Sequence, residues 1–261
     1  MTTKNFLLLS VITFALFSFS KDKSVEKYTP PGTVKIGAQF FMDETEITNI
    51  SWKEYTFWTE RIYGKGSSQY EFVKADSHVW EEPFRSLYFT HPAYDDYPVV
   101  GVSYDQALAF CQWRSERVME QLLINQKLKK LKSIPSQVYF RLPTKAEWEN
   151  VAKVGYSEKT QKSLDKKHKN CVKANYQTSP TSEEVKSTTA PVYSYWPNRY
   201  GVRQMFGNVS EMILNEGVAK GGSWTDFEND IHIDTNIPYT HPSKSIGFRC
   251  VCEVSFEEID S

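Results

Sequence analysis

The four cysteines of this sequence could take part in several kinds of chemistry, because a thiolate can attack a carbon, bind a soft metal or form a disulfide. They are Cys111, Cys171, Cys250 and Cys252. One residue separates Cys250 from Cys252, so the pair is not a C-x-x-C motif, and no second short Cys or His pair completes a zinc site. Disulfides are permitted if the chain is exported, and the sequence alone leaves their pairing open.

Other catalytic patterns are missing from the sequence. The 5 histidines form neither H-x-x-x-H nor H-E-x-x-H, and there is no serine elbow or glycine-rich phosphate loop. Asp43, Glu44 and Glu46 are close in sequence, but surface charge and hydrogen bonding to loops explain them better than acid–base catalysis does. The residue types by themselves favour no enzyme class.

Composition restricts the class of protein. The chain has 261 residues, of which 40% are hydrophobic and 24% charged, values of a soluble globular protein rather than a fibrous or multi-span membrane protein. Lys plus Arg is 31 and Asp plus Glu is 32, and this balance gives no reason to expect nucleic-acid binding. The 15% of aromatic residues favours a loop-rich fold built around large rings.

The N-terminus reads as a targeting segment. Lys4 precedes an apolar run from Phe6 to Phe19, which is shorter than the roughly 20 residues of a membrane-spanning helix. A signal peptide over residues 1–20 is expected rather than a buried helix or a signal anchor. No cysteine lies near Ser20, so we expect an exported protein of the periplasm or outer-membrane surface that is not a lipoprotein and has no transmembrane span.

Three capping boxes predict three helices. In each, a hydroxyl and a side-chain carbonyl satisfy free amides of the first turn. They begin at Ser51, Ser103 and Thr144, and Gly155 is a candidate for the left-handed end of the third helix.

The rest of the chain predicts short strands and loops. Two strands are expected between Val34 and Asp43, an irregular aromatic insertion over 63–98, and a polar loop over 156–189. The C-terminal third suggests short strands and turns. The fold class is therefore α+β. The expected organisation is a linker over 21–32, one domain over 33–255 and a tail over 256–261.

Two groups of side chains are expected to be structural. Arg141 should pair with a carboxylate, either Glu147 or Glu149. The indoles of Trp113, Trp148 and Trp224 are expected in the core rather than on a sugar-binding platform.

Eight ordered motifs resemble the formylglycine-generating enzyme, or sulfatase-modifying factor, family. They are MDETEITN (42–49), YPVVGVSYDQALAFCQW (97–113), FRLPTKAEWENVA (140–152), AN (174–175), AP (190–191), YGVRQMFGNVSEM (200–212), KGGSW (220–224) and GFRC (247–250). The resemblance implies a loop-rich variant of the C-type lectin fold.

A narrower resemblance concerns the N-terminal third. FFMDETEITN followed by YFTHPAYDDYPVVGVS at 88–103 is similar to the gliding-motility and type IX secretion proteins of types K and J of the Bacteroidota. Those proteins are usually longer and lipidated, so the resemblance implies a shorter paralogue.

The family resemblance also implies structural calcium at two loops. The second site would use the Gln204 and Glu211 side chains with the carbonyls of Gly207 and Val209, which are the hard oxygens that calcium prefers. Gln204 stands where the family usually has asparagine. The first site would use Asn175, the Tyr176 carbonyl, Glu184 and the Lys186 carbonyl.

The same resemblance decides what is expected of catalysis. The family's enzymes bind copper through two cysteines after the KGGS turn, and the matching positions here are Asp226 and Ile231. No copper is therefore expected. By the family match, Cys111 pairs with Cys250, while the pairing of Cys171 and Cys252 stays open.

These observations predict an exported, non-catalytic scaffold or binding protein of the gliding or type IX secretion apparatus. Its partners would be envelope proteins, with oligomerisation possible, and its contact surfaces would be residues 63–98 and 225–242. The alternatives are an oxidative enzyme that works through Cys171 or Cys252, and a lectin-like receptor for glycans or another small ligand.

Overall fold

The computed structural model describes residues 28–129, 134–167, 173–178 and 187–256. The predicted signal peptide and Cys171 lie outside them. The helices are α1 (Asn49–Tyr63), α2 (Ser68–Phe72), α3 (Phe84–Leu87), α4 (Tyr104–Lys129), α5 (Lys145–Ala152) and α6 (Glu158–Lys167). The strands are β1 (Thr33–Lys35), β2 (Phe40–Asp43), β3 (Gln137–Arg141), β4 (Ser210–Met212), β5 (Val218–Lys220), β6 (Ile237–Pro238), β7 (Ile246–Gly247) and β8 (Val251–Ser255).

The first sheet joins the two ends of the described chain. Its strand order is β1-β2-β8-β3, and every pair is antiparallel, with Met42 opposite Val251 and Phe140 opposite Cys252. The two strands predicted between Val34 and Asp43 are confirmed as β1 and β2. β8 therefore holds β2 and β3 together, and β1 joins the sheet through β2.

The second sheet includes parts of three of the motifs that resemble the family, at 200–212, 220–224 and 247–250. Its order is β6-β5-β4-β7, and β4 runs parallel to β7, with Ser210 opposite Ile246. Together with the six helices of the described residues, these sheets confirm the predicted α+β class.

Three helix starts follow local hydrogen bonding. Thr144 and Glu147 form the predicted capping box of α5. Ser103 N–H donates to Gln106 Oε1 at 2.7 Å, and Gln106 N–H donates to Ser103 Oγ at 3.2 Å, at the start of α4. The prediction for α1 is displaced, because its N-cap is Thr48, whose hydroxyl accepts from the Ser51 amide.

Three local predictions are wrong. The 63–98 insertion holds α2, α3 and two short 3₁₀ turns. Residues 158–167, predicted as part of a loop, form α6. The sequence did not predict this helix because it has no apolar stripe. At its start, the Thr160 amide donates to Ser157 Oγ at 3.2 Å. Helix α5 ends on Lys153 in a right-handed conformation, so Gly155 does not act as its left-handed end.

The core is built from rings between the helices and the first sheet. Trp52 stacks on Phe110 with ring centroids 5.5 Å apart, and Phe248 meets both edge-on. Trp148 and Trp224 are buried as predicted, each in a separate smaller cluster, and Trp113 is partly buried against the cluster of Trp52 and Phe110. Arg141 pairs with Glu147 at 2.7 Å, which selects one of the two predicted partners, and it also reaches Glu253.

No helix within the described ranges is long and apolar enough to cross a membrane.

Candidate functional site

A tight turn precedes Asp226 and Ile231, the two positions that the family resemblance matches to the enzymes' cysteines. Gly221 and Gly222 have φ of +97° and +69°, a region that favours glycine. A Cβ on Gly222 would lie 2.6 Å from Ile231 Cγ1. Ile231 therefore fills the space beside the turn with a hydrocarbon side chain that cannot ligate a metal.

Asp226 holds the same turn closed. Its Oδ2 accepts hydrogen bonds from the Ser223 amide and the Ser223 hydroxyl, both at 2.8 Å. Its backbone carbonyl accepts from the Gln177 amide at 2.9 Å. Asp226 and Ile231 thus both contact the turn, and neither provides the thiolate that copper(I) requires.

Aromatic residues from the insertion cover this turn. Trp80 stacks on Trp224, with ring centroids 6.0 Å apart and planes 16° from parallel. The Lys244 ammonium lies 5.6 Å from the Trp224 ring centroid, within cation–π range. Tyr88, fully buried in the same cluster, donates to the Pro98 carbonyl at 2.6 Å. Part of the insertion therefore belongs to the core and is unavailable to a partner.

A buried ion pair lies at the centre of the second predicted calcium loop. Glu211 is 1% exposed and Arg249 is 0% exposed. Arg249 donates through Nη2 to Glu211 Oε1 at 2.6 Å and through Nε to Oε2 at 2.7 Å. Trp148 Nε1 also donates to Oε2, at 2.8 Å. Burial lowers the pKa of Arg249, but the Glu211 carboxylate more than offsets this and leaves the pKa raised.

Arg249 also links distant segments. Its Nη2 donates to the Arg203 carbonyl at 2.8 Å and its Nη1 to the Asp43 carbonyl at 3.2 Å. The guanidinium thus connects β4, the end of β2 and the loop before Gln204.

Glu46 is a second buried carboxyl near this pair. Its Oε1 accepts from Asn208 Nδ2 at 2.9 Å, whereas Oε2 is buried without a hydrogen-bond partner. Burial raises the pKa of Glu46 to about 8; the Arg249 charge opposes this rise and the Glu211 charge adds to it. One guanidinium therefore faces two carboxyl groups.

The contacts fit the second predicted calcium site in part. Gln204 Oε1 is buried without a partner, while its Nε2 donates to the Pro191 carbonyl at 3.2 Å. Gly207 has φ of +73°, and a Cβ at this position would lie 2.6 Å from the Asn175 carbonyl oxygen. Glu211, however, is already neutralised by Arg249. The described residues contain no group of three or more His, Cys, Asp or Glu placed to hold a metal.

The first predicted calcium site is only half described. Asn175 donates to Asn208 Oδ1 at 3.1 Å and to the Thr188 carbonyl at 3.2 Å. The Tyr176 hydroxyl donates to Glu228 at 2.7 Å. Glu184 and Lys186 lie outside the described residues. Asn208 thus joins the two predicted loops, a contact that sequence reasoning missed.

The predicted cysteine pair is brought together. Cys111 Sγ on α4 lies 3.4 Å from Cys250 Sγ, and both are buried thiols in the structure. Burial, then the neighbouring Cys111 thiol, raises the pKa of Cys250 well above its ordinary value. The disulfide itself stays a prediction.

Comparison with known proteins agrees with this architecture. Residues 10–254 match the family described as "Sulfatase-modifying factor enzyme 1-like domain", and the chain belongs to that family.

The individual relatives include one named as an enzyme and one named as inactive. The chain is 25% identical to the mouse (Mus musculus) formylglycine-generating enzyme over 201 residues, covering 66% of this chain and 48% of the relative. It is 24% identical to the bovine (Bos taurus) "Inactive C-alpha-formylglycine-generating enzyme 2" over 204 residues, covering 68% and 60%. The chain therefore spans about half the length of these curated relatives.

Solved structures show the same fold. The crystal structure of CarF superposes with a TM-score of 0.52 at 21% identity, covering 83% of this chain and 87% of that one.

Proposed function

We propose that this chain is an exported, non-catalytic scaffold or binding protein. One observation carries the proposal: Asp226 caps the turn and Ile231 packs beside it, in the positions that hold the family's copper-binding thiols. A named inactive relative supports the idea that this domain can persist without that activity.

The apparatus and the location belong to the same proposal. The resemblance of residues 40–49 and 88–103 to gliding-motility and type IX secretion proteins supports a role in that envelope machinery. The apolar run of residues 6–19 supports export to the periplasm or outer-membrane surface. Exposed parts of 63–98 and 225–242 would serve as contact surfaces, on a rigid core that displays them.

The rival oxidative chemistry receives no support from Cys252. Its side chain is fully buried in β8, and burial raises the pKa of its thiol to about 12. A reactive cysteine needs an accessible thiolate. Cys171 lies outside the described residues.

The first prediction tests for the loss of catalysis. The purified protein, loaded with copper and supplied with oxygen and a Cys-x-Pro-x-Arg peptide, should form no aldehyde, because Asp226 and Ile231 cannot provide thiolates. Mass spectrometry of the peptide measures the product, and an active formylglycine-generating enzyme is the positive control. Copper-dependent turnover by this chain would overturn the proposed function.

Structural calcium at the Gln204 loop is a further part of the proposal. Because Arg249 holds Glu211, the remaining ligands are Gln204 Oε1 and the carbonyls of Gly207 and Val209. These are fewer than the six to eight oxygens that calcium prefers, so we expect weak binding, roughly in the millimolar range.

The second prediction measures this binding. Calcium should raise the melting temperature of the protein, since a ligand of the native state stabilises it by mass action. Gln204→Ala should remove the rise in melting temperature. Glu211→Ala is unsuitable as a test, because it leaves the buried Arg249 charge without its partner. An equal rise in Gln204→Ala, or no rise in the unmodified protein, would discard the site.

A further inference from the structure

Glu46 lies in the loop between β2 and α1, and other segments of the chain enclose its side chain, which is 1% exposed. Its Oε1 accepts from Asn208 Nδ2 at 2.9 Å, whereas no donor among the described residues reaches the buried Oε2. A buried carboxylate needs a cation or several donors to offset its lost hydration, and a single side-chain amide is less than that. The geometry therefore favours the neutral, protonated form of Glu46.

The guanidinium that acts on Glu46 is shared with another carboxylate. Arg249 donates to Glu211 through two hydrogen bonds of 2.6 and 2.7 Å. Burial raises the pKa of Glu46, the charge of Arg249 lowers it, and the charge of Glu211 raises it again. Since one positive charge serves two carboxyl groups, ionisation of Glu46 would leave a negative charge in the interior without a partner of its own.

Two other titratable groups near Glu46 are also engaged. The hydroxyl of Tyr88, from the insertion, donates to the Pro98 carbonyl at 2.6 Å. Arg114 of α4 lines the same cleft as Glu46, and it lies 2.8 Å from Asp43. Neither side chain is therefore free to neutralise a Glu46 carboxylate.

Two contacts attach the loop of residues 200–212 to this buried centre. Asn208 of the loop donates to Glu46, and the Arg203 carbonyl of the loop accepts from Arg249 Nη2 at 2.8 Å. A charged Glu46 could be accommodated only by admitting water or by drawing Arg249 away from its present partners. Either change opens contacts that hold this loop.

We propose that Glu46 makes the loop of residues 200–212 sensitive to pH: the neutral acid is compatible with the closed loop, and loss of its proton to solvent loosens it. The inference goes beyond the proposed function and does not depend on it.

The stability of the protein should fall as the pH rises from the ordinary pKa of 4.5 towards the raised pKa of about 8. In this window the folded state binds more protons at Glu46 than the unfolded state does, whereas below it both states are protonated and above it both are ionised. Urea denaturation of the unmodified protein and of Glu46→Gln measures the effect, with EDTA in every buffer to exclude calcium. The ratio of their unfolding equilibrium constants, unmodified over variant, should rise more than about a hundredfold between about pH 5 and pH 8.

Glu44→Gln is the matched control. Glu44 belongs to the same loop between β2 and α1, but its side chain is 36% exposed and is bound to Arg203 at 2.9 Å. The corresponding ratio for this variant should stay within about threefold over the same range, because an exposed ion pair contributes little. A ratio for Glu46→Gln that is equally constant would overturn the inference.

Two further measurements test the proton and the loop separately. The infrared spectrum of the unmodified protein should lose a protonated-carboxyl band between about pH 7 and pH 9, and this readout needs no variant to fold. Hydrogen exchange in peptides that cover residues 200–212 should be faster than in Glu46→Gln at about pH 9, and equal to it at about pH 6. Absence of the infrared change, or equal exchange in both proteins at the higher pH, would also overturn the inference.

Discussion

Glu211→Ala should lower the free energy of unfolding by about 3–5 kcal/mol, a typical loss when one partner of a buried ion pair is removed. The reason is that the fully buried Arg249 would keep its charge without the carboxylate that now accepts two of its hydrogen bonds. Trp148 Nε1 would lose its partner in the same substitution. Urea denaturation followed by tryptophan fluorescence measures the loss.

Two further variants interpret that result. Glu253→Ala also removes a carboxylate from an arginine pair, but Glu253 is 50% exposed, so the loss should be no more than about 1 kcal/mol. The double variant Glu211→Leu with Arg249→Met should recover much of the stability, because apolar residues can replace a buried pair. A Glu211→Ala loss as small as that of Glu253→Ala would show that the pair is not buried in solution.

Oxidation of Cys111 and Cys250 should stabilise the protein by up to about 5 kcal/mol on the chain-entropy estimate. The two residues are 139 positions apart in sequence and their sulfur atoms lie 3.4 Å apart. The crosslink would therefore close a long loop of the unfolded chain, and a reductant should strongly destabilise or unfold the protein.

Peptide mapping without reductant identifies the bond. A Cys111 peptide should be linked to Cys250, and Cys252→Ser should keep that link and most of the stability. Linkage of Cys111 to Cys252, or a free Cys111 in protein recovered from an oxidising compartment, would contradict the assignment.

The features that sequence reasoning predicted well depend on short-range contacts or on ordered motifs. The capping boxes of α4 and α5 close within three residues, and Arg141 finds Glu147 one turn into the adjacent helix. Helix α6 was not predicted, because it has no apolar stripe and a mainly polar sequence is also typical of a loop.

The buried contacts of Glu46 and of the Glu211–Arg249 ion pair could not be predicted from local sequence patterns. Glu211 and Arg249 are 38 positions apart, and Glu46 reaches Asn208 across 162. The family resemblance implies calcium beside Glu211, which stays a prediction, and it gave no indication of the guanidinium of Arg249 that contacts the same carboxylate. A useful signal was present, since Arg249 stands within the apolar run Ile246–Cys252, where a charge requires a buried counter-ion.

The central place of β8 in the first sheet also governs when this chain can fold. Its residues 251–255 lie between β2 and β3 and pair with both strands. Asp43 and Arg249, 206 positions apart, meet at the same junction. Contacts between such distant segments form slowly, because the loop-closure entropy is lost before the packing is gained. A nascent chain therefore cannot complete this sheet until β8 has left the ribosome.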